Sequence, residues 1–283
     1  MNNIEYIEVE KLKPFENHPY KVKSDEEMDN LIESIREHGI LSPIIARPIE
    51  NNEYEIISGH RRLFAGKRAG LSKVPALVTQ MDRDTAAITL VDSNLHRENI
   101  LPSEKAFAYK LKMEALSHQG KRNDLTLAQT EPKSSAELIG EKENISRETV
   151  KRYMRLTNLL PKLLELVDIG RIAFTPAVEL SYLNDIEQQD LLEIIESEEA
   201  TPSLSQAVRL KKLSQQGILT DDKILEIMSE EKANQKERIK IPSERVRKYF
   251  PQSYSNSQIE DEIVKLCEAY YKKQLKKRAV PER

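Results

Sequence analysis

The stretch Tyr54–Val78, YEIISGHRRLFAGKRAGLSKVPALV, decides how the chain folds. Its first residues alternate apolar and polar side chains as a short strand does, and Ser58-Gly59 then predicts a tight turn. A helix follows, with Gly70 where such helices end, and a second strand begins near Val74. The buried stripe of the predicted helix is Leu63, Ala65, Gly66 and Ala69. The order strand, turn, helix, strand indicates mixed α and β structure.

The first turn of this predicted helix carries His60, Arg61 and Arg62. Cations at a helix N-terminus are unfavourable, by roughly 0.3–1 kcal/mol each at an exposed site. An anion there would instead meet backbone N–H donors and two guanidinium groups that suit phosphate oxygens. The pattern therefore favours a phosphate-binding turn. The alternative is a solvated basic turn whose arginines pair with nearby carboxylates.

Length and composition indicate a multidomain, helix-rich protein. The chain has 283 residues, of which 32% are charged, and this length suggests two or three domains. We find no apolar run approaching a membrane span and no signal peptide at the start, so we expect a cytoplasmic protein with no membrane partner. With Cys267 alone and five unpaired histidines, we expect no disulfide and no structural zinc.

Charge is segregated along the chain although the net charge is only −3. No Lys or Arg lies between Arg171 and Arg209, a stretch rich in Asp and Glu, whereas Lys272–Arg278 is basic. Any contact with nucleic acid must therefore use a local face of the protein.

The apolar pattern before Tyr54 predicts the rest of a small α/β unit. It consists of a strand in 4–12, a helix ending at Gly39 and a strand before Pro48. The loops 14–23, 39–43 and 58–62 lie where strands and helices meet, the usual place for a ligand in such sheets.

A second polar cluster, DSNLHRE, follows a predicted helix at residues 92–98. Asp92, Ser93 and Asn94 offer oxygen atoms that suit a hard cation, and Arg97 could contact a phosphate. Considered alone, the cluster could equally be a polar loop with a helix cap.

Residues 134–160 have the pattern of a helix-turn-helix. A capping box of Ser134 and Glu137 starts a short helix, predicted to end at Gly140, and Ser146 caps a second helix. Arg147, Lys151 and Arg155 recur every four residues and so share one face of the second helix. The predicted DNA-binding residues are these three, the neighbouring Thr149 and Arg152, and Ser146. The alternative is a basic face on a surface helix with no DNA partner.

Further helices are predicted up to Gly217, one of them capped by Thr175-Pro176. The polar segment 120–133 is predicted as a connector, and the charged segment 229–240 as a break before a last helix capped by Ser257 and Glu260. The apolar stripe of that helix, from Ile259 to Tyr270, could form a dimer seam or pack within the chain, against Val246, Tyr249 and Phe250.

Three stretches, in this order and spacing, resemble the ParB family of chromosome and plasmid partition proteins: HGILSPIIARP (38–48), SGHRRLFAGKRAGLSKVPALV (58–78) and SNLHRENILPSEKAFAY (93–109). The helix-turn-helix pattern at 134–157 follows at the expected distance. The resemblance covers about residues 4–200.

The predicted fold is α+β in three parts. The resemblance implies a sulfiredoxin-like nucleotide-binding domain (1–100) and the helix-turn-helix, which lies in an all-α domain (101–228). Beyond the resemblance, the residues predict a charged linker with a small helical C-terminal module (229–283), which could dimerise. The resemblance also implies a nucleoid-associated homodimer that binds CTP and magnesium, closes as a clamp on double-stranded DNA at a centromere-like site, and works with a partner ATPase.

Carried onto this chain, the family's nucleotide site comprises Gly59, His60, Arg61, Arg62, Asn94 and Arg97, with Asn94 also a metal ligand. The chain departs from the family pattern at His60 and Ser93, where the family usually has Glu. In the loop 17–21, NHPYK replaces the usual Gln-Pro-Arg, so the Arg expected near the nucleotide has no exact match and Lys21 is only a neighbouring cation. We therefore expect nucleotide binding more than CTP hydrolysis.

A sequence-specific transcriptional regulator of a mobile element, without nucleotide switching, is the alternative function. A phosphotransferase or nuclease ranks last because no catalytic base is evident beside the site.

Overall fold

A computed structural model describes residues 4–123, 134–230 and 242–278. The chain divides into two compact units, Met1–Glu230 and Glu231–Arg283. Residues 124–133 of the predicted connector, and most of the predicted charged break, lie outside the described residues. The domain boundary predicted near residue 100 falls inside the first unit and stays a prediction.

The secondary structure of the first unit alternates strands and helices up to residue 78 and is helical afterwards. The strands are β1 (Ile4–Glu8), β2 (Leu12–Lys13), β3 (Ile44–Pro48), β4 (Tyr54–Ser58) and β5 (Lys73–Val78). The helices are α1 (Glu26–His38), α2 (His60–Arg68), α3 (Arg83–Asn94), α4 (Pro102–Asn123), α5 (Ser135–Glu143), α6 (Arg147–Arg155), α7 (Pro161–Asp168), α8 (Phe174–Leu180), α9 (Asp185–Ser197), α10 (Leu204–Gln215) and α11 (Asp221–Ser229). The predicted α+β fold is confirmed.

The five strands form one mixed sheet in the order β1-β5-β3-β4-β2. β3 runs parallel to β5 and antiparallel to β4, while β1 is antiparallel to β5 and β2 is parallel to β4. Ile56 packs in a cluster with Leu63 of α2, whereas its neighbour Ile57 packs with Leu90 of α3. Because successive strand residues point to opposite faces, β4 fixes α2 on one side of the sheet and α3 on the other.

Helix α4 joins the sheet region to the helical region. It packs against α3 and also against α5, α6 and α7. Ala108 belongs to the cluster that includes Leu90 of α3, and Ala106 belongs to the cluster of the later helices that includes Leu163. The end of α3 and the helix pair α5–α6 are therefore held by one element.

Three helix boundaries differ from the sequence-based predictions, and one helix was not predicted. Gly140 lies inside α5, which continues to Glu143 and ends at Asn144, whose φ of 54° is left-handed. Helix α8 begins at Phe174, before the predicted Thr175-Pro176 cap. Helix α11 was not predicted. The last helix is capped by Ser255, which exchanges hydrogen bonds with Gln258, and not by Ser257 and Glu260.

The second unit contains two helices among its described residues, α12 (Ser243–Arg247) and α13 (Asn256–Arg278). Ile259 is buried, whereas Leu266 and Tyr270 of the predicted stripe are 58% and 65% exposed. The dimer seam stays a prediction. Among the described residues we find no helix long and apolar enough to cross a bilayer.

Candidate functional site

A cavity of about 100 Å³ lies at the start of α2. It is lined by His18, Tyr20, Lys21, Val22, Ser58, Gly59, His60, Arg61, Arg62, Asn94 and Arg97. These include all six residues predicted for the nucleotide site. The first turn of α2 and the end of α3 therefore meet at one place, although more than thirty positions of sequence separate Arg62 from Arg97.

A larger cavity, of about 360 Å³, lies beside α3 and α4. Its lining mixes cations with the carboxylates of Asp84 and Glu114. Its Arg83 already pairs with Glu16 at 2.5 Å. The smaller cavity is therefore the better candidate for an anion site, because cations and a helix N-terminus converge there.

Gly59 permits the sharp entry into α2. Its φ is +104°, which side chains rarely adopt, and a Cβ atom there would lie 3.1 Å from Nη2 of Arg62 and 3.2 Å from Cγ1 of Ile44. The guanidinium of Arg62 therefore folds back against the turn, and a side chain at position 59 would crowd it.

The two arginines of this turn have different partners. Arg62 Nη1 donates to the carbonyl oxygen of Pro43 at 2.7 Å and also to that of Ser42, and burial lowers the pKa of Arg62. Arg61 donates from Nη1 to Glu27 Oε2 at 3.2 Å. The alternative interpretation, in which arginines pair with acids, thus holds for Arg61. Since the Arg61–Glu27 pair is exposed and such pairs contribute about 0–1 kcal/mol, a phosphate could replace this carboxylate.

His60 stacks on His18, with ring centroids 3.7 Å apart and planes at 42°. The Nδ1–H of His18 donates to the carbonyl of Tyr20 at 2.7 Å, and Phe15 N–H lies 3.5 Å from Nε2 of His60. Burial lowers the pKa of His60 to about 3, and the proximity of His18 and Arg97 adds to this effect. Burial also lowers the pKa of His18. Both rings are therefore neutral at pH 7, so the positive charge of the cavity comes from arginines and Lys21.

Asn94 is buried at the end of α3, where its Nδ2 donates to Leu90 O at 2.8 Å. This bond leaves its Oδ1 as a possible metal ligand. The neighbouring Asp92 is not available, because its carboxylate accepts hydrogen bonds from Lys112 and Lys142. Among the described residues no group of three or more His, Cys, Asp or Glu side chains could hold a metal ion. The protein donors alone therefore do not form a magnesium site.

Helices α5 and α6 are joined by a tight turn that depends on Gly140. A Cβ atom on Gly140 would lie 2.6 Å from the carbonyl oxygen of Ile145, which is too close for any other residue. Ser146 caps α6 as predicted, since its Oγ accepts from Thr149 N–H at 3.1 Å. Val150 is fully buried, and Ile145 packs against the same cluster.

The cations of α6 divide into two pairs. Arg147 and Lys151 are exposed and pair with Glu137 at 3.0 Å and Glu148 at 3.3 Å. Arg152 and Arg155 instead reach towards α8. Arg152 Nη2 donates to Thr175 Oγ1 at 3.1 Å, and Arg155 Nη2 donates to Ser181 O at 3.1 Å with its guanidinium 3.9 Å above the ring of Tyr182. Helical periodicity places all four cations near one face but does not show which of them pack inward.

Sequence analysis did not single out His18 and Tyr20, whose rings also line this cavity. Only the position of loop 14–23 at a junction between strand and helix pointed to them. Their contacts with His60 and Arg97, the latter 5.8 Å from the Tyr20 ring, depend on the fold.

Comparison with known proteins finds a matching domain family and several similar bacterial proteins. Residues 1–95 match the family described as ParB N-terminal domain. A probable chromosome-partitioning protein ParB of Pseudomonas putida is 30% identical over 187 residues, which are 66% of this chain and 59% of the relative. The chain belongs to the ParB family. The nucleoid occlusion protein of Listeria monocytogenes is 31% identical over 190 residues, covering 67% of this chain and 61% of that protein. The match thus spans about three fifths of these relatives' lengths.

Solved ParB structures align with most of the chain, but with low TM-scores. The C-terminally truncated ParB of Caulobacter crescentus complexed with CTP-gamma-S is 27% identical, covers 69% of this chain and 99% of its own, and has a TM-score of 0.32. The same protein complexed to the centromeric parS site is 24% identical, covers 74% and 98%, and has a TM-score of 0.42. Because these TM-scores are low, the assignment to the ParB family depends on the sequence matches.

Proposed function

We propose that this ParB-family protein binds CTP at the cavity between α2 and α3 and binds double-stranded DNA through the helix-turn-helix α5–α6. The observation that carries the proposal is that the Gly59–Arg62 helix start and the Asn94–Arg97 helix end line one cavity. An N-terminal turn supplies N–H donors and a favourable dipole for the triphosphate. Arg61, Arg62 and Arg97 supply the opposite charge.

Magnesium would come with the nucleotide. Mg²⁺ retains water and binds largely through substrate phosphates, and Oδ1 of Asn94 would be its ligand from the protein. Hydrolysis is expected to be slow, because His60 is a weakly basic imidazole with a pKa of about 3 and Ser93 brings no carboxylate.

In this proposal nucleotide binding gates DNA binding. If CTP and the DNA site favour the same arrangement of the protein, each ligand raises the affinity for the other by the same factor. Helix α4, which contacts α3 as well as α5 and α6, is the element through which the two sites would communicate. A homodimer that closes as a clamp, nucleoid association and a partner ATPase are parts of the same proposal.

The second candidate is a DNA-binding regulator that has lost the nucleotide switch. It is favoured by the existing partners of the arginines, Glu27 for Arg61 and backbone carbonyls for Arg62, and by the small volume of the cavity.

One titration panel separates the two candidates. Binding of CTP, ATP and GTP is measured by calorimetry with and without Mg²⁺ and duplex DNA. Selective CTP binding that strengthens with DNA supports the nucleotide-gated function. DNA binding with no nucleotide binding supports the regulator, and phosphate release or transfer at an appreciable rate would indicate an enzyme.

A further inference from the structure

Lys21 lies at the edge of the nucleotide cavity and is tied to the helical region of the same unit. Its backbone N–H donates to Glu104 Oε1 on α4 at 2.9 Å. Its ammonium lies 3.7 Å from Oδ2 of Asp168, the last residue of α7. Lys21 therefore connects the loop that lines the cavity with the helices α4 and α7.

Asp168 does not depend on Lys21. Its Oδ1 accepts from Ser103 N–H at 2.9 Å, and its Oδ2 accepts from the Ser103 hydroxyl at 2.6 Å. Because Ser103 is in the first turn of α4, the helix dipole also stabilises this carboxylate. The Lys21 side chain is 56% exposed whereas that of Asp168 is 7% exposed. If the ammonium left, water could replace its contact and the carboxylate would keep its other partners.

The charge of the cavity determines where the ammonium is stable. Without nucleotide, Arg61, Arg62 and Arg97 repel a further cation, which favours the position beside Asp168. A triphosphate reverses this field. The cavity of about 100 Å³ is also smaller than the roughly 300–1,000 Å³ typical of ligand sites, so its lining has to move when a nucleotide enters.

We propose that Lys21 is a phosphate-binding residue. Without nucleotide its ammonium pairs with Asp168, and nucleotide binding transfers the ammonium from Asp168 to the triphosphate. The transfer breaks the ion pair that joins loop 18–22 to α7, while the hydrogen bond from the backbone N–H of Lys21 to Glu104 remains. Nucleotide binding thereby changes a contact with the helical region. The inference rests on the proposed nucleotide site and adds a residue and a mode of regulation to it.

The test uses CTP with Mg²⁺ and the full chain in four forms: wild type, Lys21→Ala, Asp168→Asn and the double variant. Loss of one charged contact predicts that Lys21→Ala weakens CTP binding by about 5–10-fold. Asp168→Asn keeps an acceptor for Ser103 N–H but removes the charge that retains Lys21, so we expect binding to tighten by about 2–3-fold, the scale of an exposed ion pair. In the double variant the gain should disappear, because it acts through Lys21.

Lys23→Ala, at an exposed position outside the cavity lining, is the matched control and should bind CTP as the wild type does. Thermal unfolding of each variant verifies the fold. Unchanged affinity in Lys21→Ala, or a gain from Asp168→Asn that persists without Lys21, overturns the exchange while leaving the nucleotide site intact. Failure of the wild type to bind any nucleotide overturns the proposed function together with the exchange.

Discussion

The carboxylate of Asp92 accepts a hydrogen bond of 2.6 Å from the ammonium of Lys112, whose side chain is only 4% exposed. The second oxygen of Asp92 accepts from Lys142 on α5. Burial alone would raise the pKa of Asp92, but the hydrogen bonds and charges of the two lysines outweigh it, and the pKa lies below its ordinary value. Asp92 thus joins α3, next to the proposed nucleotide site, to α4 and to α5, the first helix of the proposed DNA-binding pair.

Asp92→Ala should lower the free energy of unfolding by about 3–5 kcal/mol, because it leaves the buried ammonium of Lys112 without this partner. Denaturant unfolding of the full chain measures the loss. Since the pKa of Asp92 is lowered in the folded state, its contribution is complete above the ordinary pKa of the carboxyl and disappears as the pH falls through the folded-state pKa. Glu148→Ala, which removes the exposed partner of Lys151, is the control and should cost less than about 1 kcal/mol. A loss for Asp92→Ala as small as the control's would refute the structural role.

His60 should make stability depend on pH below neutrality. Between pH 6.5, the ordinary value, and about 3, the folded-state pKa, the unfolded chain binds a proton at this residue that the folded chain does not. Stability therefore falls as the pH drops below 6.5, by up to about 1.4 kcal/mol per pH unit. His60→Gln, which can still accept a hydrogen bond, should flatten the curve between pH 6 and about pH 4. Parallel unfolding curves for both proteins over that range would show that His60 titrates normally in the fold.

Gly59→Ala should both destabilise the protein and weaken CTP binding. The new Cβ atom would crowd Nη2 of Arg62 at 3.1 Å and would strain a residue at φ +104°, at a cost of about 1–3 kcal/mol. Gly70→Ala is a matched control, because Gly70 has φ +87° but no atom within 4 Å of its Cβ position. The control should lose stability from backbone strain and retain its affinity for CTP. Equal CTP affinities in the two variants, measured by calorimetry, would argue against a role for the Gly59 turn in binding.

The two pairs of cations on α6 should respond differently to truncation. Arg147→Ala and Lys151→Ala should weaken DNA binding at little cost in stability, and each lost phosphate contact should reduce the slope of log affinity against log salt by about one. Arg155→Ala should instead lower stability, because this side chain packs on Tyr182 and donates to Ser181 O. Binding is measured by fluorescence anisotropy on a duplex that the wild-type protein selects from a random pool. If Arg147→Ala and Lys151→Ala left affinity and salt slope unchanged, the DNA contact would have to lie elsewhere, with the basic stretch Lys272–Arg278 as the next candidate.

Local patterns predicted those parts of the fold that depend on neighbours in sequence. The strand, turn and helix around Gly59, the end of α1 at Gly39 and the Ser146 cap all follow from steric and hydrogen-bonding rules that act over a few residues. Gly140 shows the limit of these rules. It was predicted to end a helix but lies within α5, and glycine is required there because a Cβ atom would lie 2.6 Å from the carbonyl oxygen of Ile145 in the following turn.

The sequence by itself determined the order of elements, the crowding of positive charge at one helix start and the basic helix that follows a capped turn. Only the tertiary structure decided that His18 packs against His60 and that Asp92 accepts hydrogen bonds from two lysines. It also decided which cations of α6 pack inward, Arg152 and Arg155, and which stay exposed, Arg147 and Lys151. The physical reason is that charge and helical propensity belong to the residue and its neighbours in sequence. The partner and the solvent exposure of a long side chain are set by elements that lie far along the chain and meet only when it folds.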